Sequence, residues 1–349
     1  MQVFTHSEFD GHETVAFCHD KASGLRAIIA IHDTRLGPAL GGCRMLPYTS
    51  EAEALTDVLR LSRGMSYKNA LAGLPLGGGK SVIIGDPRQD KTPALLEAFG
   101  AFVEGLNGRY ITAEDSNTSP ADMEIIARRT AHVRNMGFGP DDNPSPVTAL
   151  GTFYGIEVGL EVLGLPMDGA KVVVEGLGKV GMDLAARLHA AGARLVVTDV
   201  NAQAVAEAVA RFGAEAVAPG TAHRVQADVY APCALGAGLN ARTIPELGAR
   251  MVAGAANNQL ETPQDGDRLQ ARGVLYCPDY VVNAGGVLGI PLPGERLTMA
   301  ERMARATVIQ RTTRDVLDLA VERDIPTHTA ADRLAQEILS GGAMRLAAE

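Results

Sequence analysis

The fold turns on residues 171–188, KVVVEGLGKVGMDLAARL. Three consecutive valines before Glu175 are the composition of a buried strand. Glycines follow at 176, 178 and 181, and Val180, Leu184 and Leu188 then recur at i, i+4 and i+8, the spacing of one helix face. A second β-branched run, RLVVT, ends at Asp199, 18 residues past Gly181. A lone G-x-G-x-x-G is weak. With a strand before it, a helix after it and a second strand ending in a carboxylate, it is the fingerprint of a dinucleotide-binding β-α-β unit. Gly176 permits the tight turn, and Gly178 lets backbone N–H groups of the turn, which includes Leu177, Lys179 and Val180, approach a pyrophosphate. Gly181 lets helix and strand pack closely, and the helix N-terminus offers partial positive charge. Asp199, followed by Val200, can hydrogen-bond both ribose hydroxyls and would repel a 2′-phosphate, which favours NAD over NADP.

Outward from this unit, strand and helix signals alternate. KVVVEG, RLVVTDV, ADVYAPC, RMVAGA and VLYCPDYVV read as strands of a parallel sheet with helical crossovers. The segment before it also alternates. ETVAFCHD and GLRAIIAIHD are neighbouring strands around a turn at Ser23–Gly24, and Ser50 and Glu53 form a capping box for a helix reaching about Ala72. SVIIG and RYITA are further strands, while Thr92-Pro93 and Ser119-Pro120 open helices. GFGPDDNPSP (137–146) breaks the pattern and is the expected domain boundary. The expectation is an α/β protein of two domains with a cleft between them. Residues 1–140 plus a C-terminal helix, 326–349, form a substrate-binding and oligomerisation domain, and 145–325 a Rossmann-type parallel-sheet NAD domain. MAERMARATVIQRTTRDVLDLAVER reads as one long amphipathic helix stopped by Ile325-Pro326, and Thr329 as the cap of the last helix.

Composition narrows the function classes. The chain has 349 residues, 46% of them hydrophobic, and a net charge of −9. That acidic balance, with no block of like charge, argues against nucleic acid as a partner. No apolar run approaches the ~18 residues of a membrane span, and the N-terminus lacks the basic and apolar regions of a signal peptide. A cytoplasmic protein is expected. Cys18, Cys43, Cys233 and Cys277 form no C-x-x-C pair, so neither a metal site nor a disulfide framework is suggested.

The first domain carries unusual local chemistry in MSYKNALAGLPLGGGKS (65–81). A phosphate-binding P-loop fails on spacing, because residue 74 is Leu, and on context, because Lys80 is followed by a strand-like run rather than a helix. The alternative is a small-ligand site: three glycines clear space beside Lys80, and desolvation with Lys68 as a nearby cation would make its amine a usable base. Lys68 lies three residues after Met65, on the same helical face. Past the end of RYITA lie Glu114 and Asp115, between which composition does not choose.

Seven separated blocks carry a family resemblance: LGGCRMLPY (40–48), 65–87, RYITAED (109–115), NPSPVTA (143–149), APCALG (231–236), NNQL (257–260) and PDYVVNAGGV (278–287). They look like the leucine dehydrogenases, within the Glu/Leu/Phe/Val amino-acid dehydrogenases. The resemblance implies NAD-dependent reversible oxidative deamination of an L-amino acid, with a branched-chain aliphatic substrate favoured and an aromatic one the alternative. It implies Lys80 as catalytic base, Asp115 as the group exchanging protons with the amine, and Lys68 as the substrate-carboxylate ligand. Leu40, Gly41, Gly42, Met65, Val287 and Ile290 fall on substrate-site positions. Asn258 falls beside substrate and nicotinamide, and Thr148, Ala234 and Asn283 on cofactor positions. A homo-oligomer, dimer to octamer, is implied. One departure stands out: family members of the leucine type usually read Ala-Glu-Asp-Val-Gly-Thr, where this chain has Ser116 and Asn117. A 2-hydroxy-acid dehydrogenase would need a histidine base held by a carboxylate, and a non-catalytic NAD-binding module would give Lys80 and Asp115 no reason to sit together.

Overall fold

The strand Leu25–Asp33 (β2) is almost wholly buried because both its faces are covered. Leu25, Ala27, Ile29 and Ile31 point into one core and Ile28 and Ala30 into another, the period-2 alternation of a strand between two helical layers. Each buried leucine or isoleucine among them contributes about 1.5–3 kcal/mol on burial. Around it are β1 (Thr14–Asp20), β3 (Ala39–Leu46), β4 (Gly77–Ile84) and β5 (Tyr110–Glu114), in the order β1-β2-β4-β3-β5. The first two pairings are antiparallel, whereas β3 runs parallel to both β4 and β5. Helix α1 (Glu51–Leu71) covers one face, and α2 (Pro93–Glu104) and α3 (Pro120–Ile126) the other.

This computed structural model describes residues 3–134, 143–234, 236–292 and 295–341. Residues 137–142 of the expected boundary segment lie outside them. The chain divides into two compact units, Met1–Asp141 with Ala335–Gly342, and Asp142–Leu334. In the second, α4 (Ser145–Val162) leads to β6 (Lys171–Glu175), α5 (Lys179–Ala190), β7 (Arg194–Thr198), α6 (Ala202–Phe212), β8 (Glu215–Ala216), β9 (Ala227–Pro232), β10 (Ala249–Val252), α7 (Pro263–Ala271) and β11 (Leu275–Tyr276). The sheet is all parallel in the order β8-β7-β6-β9-β10-β11, the doubly wound dinucleotide order with its switch point between β6 and β9. Short helices α8 (Asp279–Val282) and α9 (Gly285–Leu288) follow, then α10 (Met299–Arg305), α11 (Val308–Arg323) and α12 (Thr327–Leu339).

Several local expectations need correction. The strand expected as SVIIG starts earlier, so that the triple glycine and Lys80 are the first half of β4 itself. ALGGCRML, not expected as a strand, is β3, an interior strand between β4 and β5. Ser50 caps α1, but Glu53 reaches back to the Thr49 N–H (2.8 Å) and hydroxyl (2.6 Å), so the reciprocal half of the box is displaced by one residue. The long amphipathic stretch is two helices, broken at Ala306–Thr307. The last helix starts at Thr327, which puts Thr329 inside it rather than at its cap. VLYCPDYVV is a two-residue strand followed by α8. Among the described residues, no helix is long and apolar enough to cross a membrane, and no group of three or more His, Cys, Asp or Glu could hold a metal ion.

Candidate active site

In the first unit, the carboxyl ends of the parallel strands β3, β4 and β5 bring three charged groups together, the usual place for ligands in such sheets. Lys80 lies mid-strand in β4 and is 6% exposed. Its Nζ donates to Oδ2 of Asp115, the residue just past β5. Of the two carboxylates between which composition does not choose, Asp115 is paired with Lys80. The same Oδ2 faces Arg44 Nε of β3 at 3.5 Å, and the other oxygen, Oδ1, accepts from the Ser116 N–H (2.6 Å) and hydroxyl (3.2 Å). Burial pushes the Asp115 carboxyl up, but the charges of Lys80 and Arg44 and these hydrogen bonds outweigh it and hold it well below the carboxylate range. The group is therefore ionised at neutral pH. The stability it contributes is lost only as pH falls below that range.

The glycines have a different job from the expected one. A Cβ on Gly78 would stand 2.0 Å from Ser66 N of α1, one on Gly77 2.0 Å from Asp33 O, and one on Gly79 2.8 Å from the Tyr110 ring. They let α1, the β2–β3 connection and Tyr110 close onto the strand. Ser66 lies between Met65 and Lys68, so this contact docks the helical turn that carries both of them, each half-buried, against the strand of Lys80. On β3, Leu40 is 2% exposed. A Cβ on Gly41 would overlap Gly79 O at 1.7 Å, and one on Gly42 would meet Asp115 Cβ at 2.7 Å and Lys80 Nζ at 3.3 Å. Gly42 thus leaves the space that the ion pair fills.

Two residues that sequence reasoning missed complete the cluster behind Arg44. Its Nη1 donates to Asp57 Oδ2 (3.2 Å), which also accepts from the Tyr48 hydroxyl (2.6 Å). The one sequence signal was an arginine inside an otherwise apolar strand. Two buried histidines of the first unit are held by partners of their own. His32 faces Asp10 at 3.8 Å, but its Nδ1 is held by Ser66 Oγ at 2.8 Å, and His12, which burial pushes down to about 4, is held by Leu59 O and Ser62 at 3.0 Å.

In the second unit the glycine turn follows β6. Gly176 has φ +98°, and a Cβ there would meet Ala234 N at 2.8 Å; one on Gly181 would meet Gly176 O at 1.9 Å. Gly178 by contrast has nothing within 4 Å of a Cβ position. The turn is closed by protein at both ends and open in the middle, where α5 starts at Lys179 and aims its first-turn N–H groups. Leu177 N–H donates to Asp199 Oδ2 (2.6 Å) and Asn201 N–H to Oδ1 (2.7 Å), so Asp199 pins the turn while keeping acceptor sites on both oxygens. Val180 packs against the core, and Val200 is fully outside it at 92% exposure. Thr148 of α4 lies 3.3 Å from a Cβ position on Gly286. Asn283 donates to Asn257 Oδ1 (2.8 Å) and Ala255 O (3.2 Å), but its own buried Oδ1 has no hydrogen-bond partner among the described residues. Asn258 is held at φ +52° with its N–H on Asp279 Oδ2 (2.6 Å), and Val287 and Ile290 are half-buried. The open turn, the helix start and the spare acceptor of Asn283 fit a dinucleotide.

Comparison with known proteins agrees with both halves. Residues 12–132 match the Glu/Leu/Phe/Val dehydrogenase dimerisation domain, and residues 199–296 the Glutamate/Leucine/Phenylalanine/Valine dehydrogenase family. The chain is 50% identical to a leucine dehydrogenase of Geobacillus stearothermophilus, over 97% of this chain and 93% of that one. It is 47% identical to a valine dehydrogenase of Streptomyces virginiae, over 97% of both. The crystal structure of L-tryptophan dehydrogenase from Nostoc punctiforme superimposes with a TM-score of 0.84 at 44% identity, covering 95% of this chain and 96% of that one. The chain therefore belongs to the glutamate/leucine/phenylalanine/valine dehydrogenase family, and is an amino-acid dehydrogenase working with a nicotinamide cofactor.

Proposed function

We propose that this protein catalyses the reversible oxidative deamination of a branched-chain L-amino acid, Leu, Val or Ile, to its 2-oxo acid and ammonia with NAD as acceptor. The observation that carries the reading is the ion pair between Lys80, within β4, and Asp115, just past β5, in a chain half identical to a leucine dehydrogenase. NAD, held by the turn Gly176–Gly181, Asp199 and Asn283, supplies the hydride acceptor for the substrate Cα. Lys68 takes the substrate carboxylate. Unprotonated Lys80 takes a proton from the water that attacks the iminium carbon, and as an ammonium it stabilises the oxyanion that develops. Asp115, fully ionised and reached by Lys80, exchanges protons with the departing amine.

The four residues that fall on the family's side-chain positions, Leu40, Met65, Val287 and Ile290, are all apolar. At about 0.8 kcal/mol per methylene, leucine gains roughly 2.4 kcal/mol over alanine, on the order of 50-fold in kcat/KM. Glutamate is rejected, because no basic residue among the four would pair its side-chain carboxylate. A panel of L-amino acids assayed for NADH formation tests this. A tenfold advantage of Phe or Trp over Leu and Val would overturn the aliphatic reading and leave the roles of Lys68, Lys80 and Asp115 in place.

Asn117 bears on that choice. It sits at φ +61°, where glycine is usual and asparagine is the next best tolerated residue, and its Nδ2 donates to Met45 O at 3.1 Å. Backbone conformation accounts for this departure from the leucine-type pattern without any demand from the substrate. Asn117→Gly is expected to leave the Leu-to-Phe ratio of kcat/KM within about twofold of wild type; a reversal of preference would tie the residue to specificity.

The assignment of NAD over NADP rests on the charge of Asp199. Asp199→Ser is expected to raise the KM for NAD by about 10-fold or more, from the loss of charged hydrogen bonds, and to admit NADP. Equal use of NADP by wild type would contradict it. The match of residues 12–132 to a dimerisation domain supports a homo-oligomer built through the first unit. Sedimentation at micromolar concentration is expected to show no monomer.

A further inference from the structure

We propose that Arg44 is a positioning residue for the reaction, holding Asp115 through Oδ2 while Asp57 and Tyr48 hold Arg44 from behind. The inference rests on the reaction assigned above. Asp115 Oδ2 is shared by two cations, Lys80 and Arg44. Lys80 cannot serve the substrate and keep its full bond to Asp115 at once. Arg44 Nε is buried, lies 3.5 Å from Oδ2 and has no hydrogen-bond acceptor among the described residues. A buried donor left without an acceptor is costly and rare. This one faces the oxygen that loses a partner when Lys80 turns to substrate, so Arg44 is placed to take over the carboxylate and keep it fixed and charged.

The support behind Arg44 is specific. Asp57 of α1 binds its Nη1, and the Tyr48 hydroxyl donates to the same Asp57 oxygen. Asp57 therefore holds the guanidinium by hydrogen bonds at Nη1, while Asp115 faces its Nε at 3.5 Å. Of the other ionisable groups around the cluster, three are neutral, one is paired and one is a further cation. Burial pushes the Cys43 thiol up to about 12 and raises the Tyr110 phenol, while burial and Asp57 together raise that of Tyr48. Asp122 of α3 is paired with Lys91 at 2.8 Å, and Lys68 is the other cation on the turn of α1 docked against β4. Lys80, Asp115, Arg44 and Asp57 thus form one continuous cluster of charges, and a change of charge within it should move the acid-side limb of the kcat/KM profile.

The test is the pH dependence of kcat/KM for L-leucine in Arg44→Gln, Arg44→Lys and Asp57→Asn, with folding checked by circular dichroism. Arg44→Gln removes a positive charge, so the cluster keeps its proton to higher pH. The acid-side limb should move about one pH unit alkaline, and kcat should fall 10- to 100-fold with the KM for NAD unchanged. Asp57→Asn removes a negative charge, and its limb should move the other way. Arg44→Lys keeps the charge and should return the limb to the wild-type position while regaining only part of kcat. A residue that merely cross-links β3 to α1 would lower stability without opposite shifts. Folded Arg44→Gln and Asp57→Asn with the wild-type limb would therefore overturn the proposal. Should Arg44→Gln not fold, Asp57→Asn decides alone by the same criterion. Wild type is assayed first: failure to form NADH from any amino acid would overturn the assigned reaction, whereas active wild type with unshifted variants overturns only the role of Arg44.

Discussion

Lys80→Ala is expected to lower kcat for L-leucine oxidation by about 10³-fold or more, the scale of losing a positioned acid–base group, while NAD binding stays at its wild-type affinity. The two effects separate because the residues belong to different units. Lys80 lies in the first sheet, whereas the glycine turn, Asp199 and Asn283 lie in the second. Among the described residues, the variant also leaves Asp115 Oδ2 with Arg44 as its remaining cation partner at 3.5 Å, so the site keeps its carboxylate but loses the amine assigned to take the proton from water. Stopped assays for NADH and a separate fluorescence titration with NAD check both halves. Retention of more than about a tenth of wild-type kcat would remove Lys80 from the proton-transfer role.

Gly78→Ala is expected to damage the fold of the first unit severely. The added methyl would stand 2.0 Å from Ser66 N and 2.2 Å from its hydroxyl, both on α1. Because the nearest atom is helix backbone, relief requires moving the helix that carries Met65 and Lys68. Overpacking of this kind costs about 3 kcal/mol or more, on the order of a 10 °C drop in apparent Tm for a unit of this size. Gly178→Ala makes the opposite comparison. Its φ is −67°, and nothing lies within 4 Å of the new carbon, so the fold should be intact and the loss confined to NAD affinity. Thermal melts and NAD titrations of the two variants should cross over: Gly78→Ala unstable, Gly178→Ala stable but weak in binding. Equal melting temperatures would contradict the packing account of the triple glycine.

These comparisons show which parts of the structure were legible in the residues themselves. The second unit was read almost strand by strand because the turn at 176–181 has local causes: positive φ at Gly176, and helix-to-turn contact at Gly181. The first unit was harder. β3 went unread because ALGGCRML has two glycines and no β-branched residue, and only its neighbours β4 and β5 make it a strand. The triple glycine was read as room for a ligand, but its reasons are Asp33, Ser66 and Tyr110, all distant in sequence. The break at Ala306–Thr307 carries no Gly or Pro, so helical periodicity runs straight through it. Arg44 could not be placed at all without coordinates, since its partners lie 13 residues away in α1 and past the end of β5. Lys80 and Asp115 were identified through the family blocks, and the structure adds the physical link between them as one ion pair.

The central claim is that this pair drives deamination rather than hydride exchange alone. It is tested most directly by measuring ammonia released against NADH formed from L-leucine, in wild type and in Lys80→Ala. Equal amounts of the two products in wild type, and loss of both in the variant, are the predicted result. NADH without matching ammonia, or undiminished product from Lys80→Ala, would contradict the account.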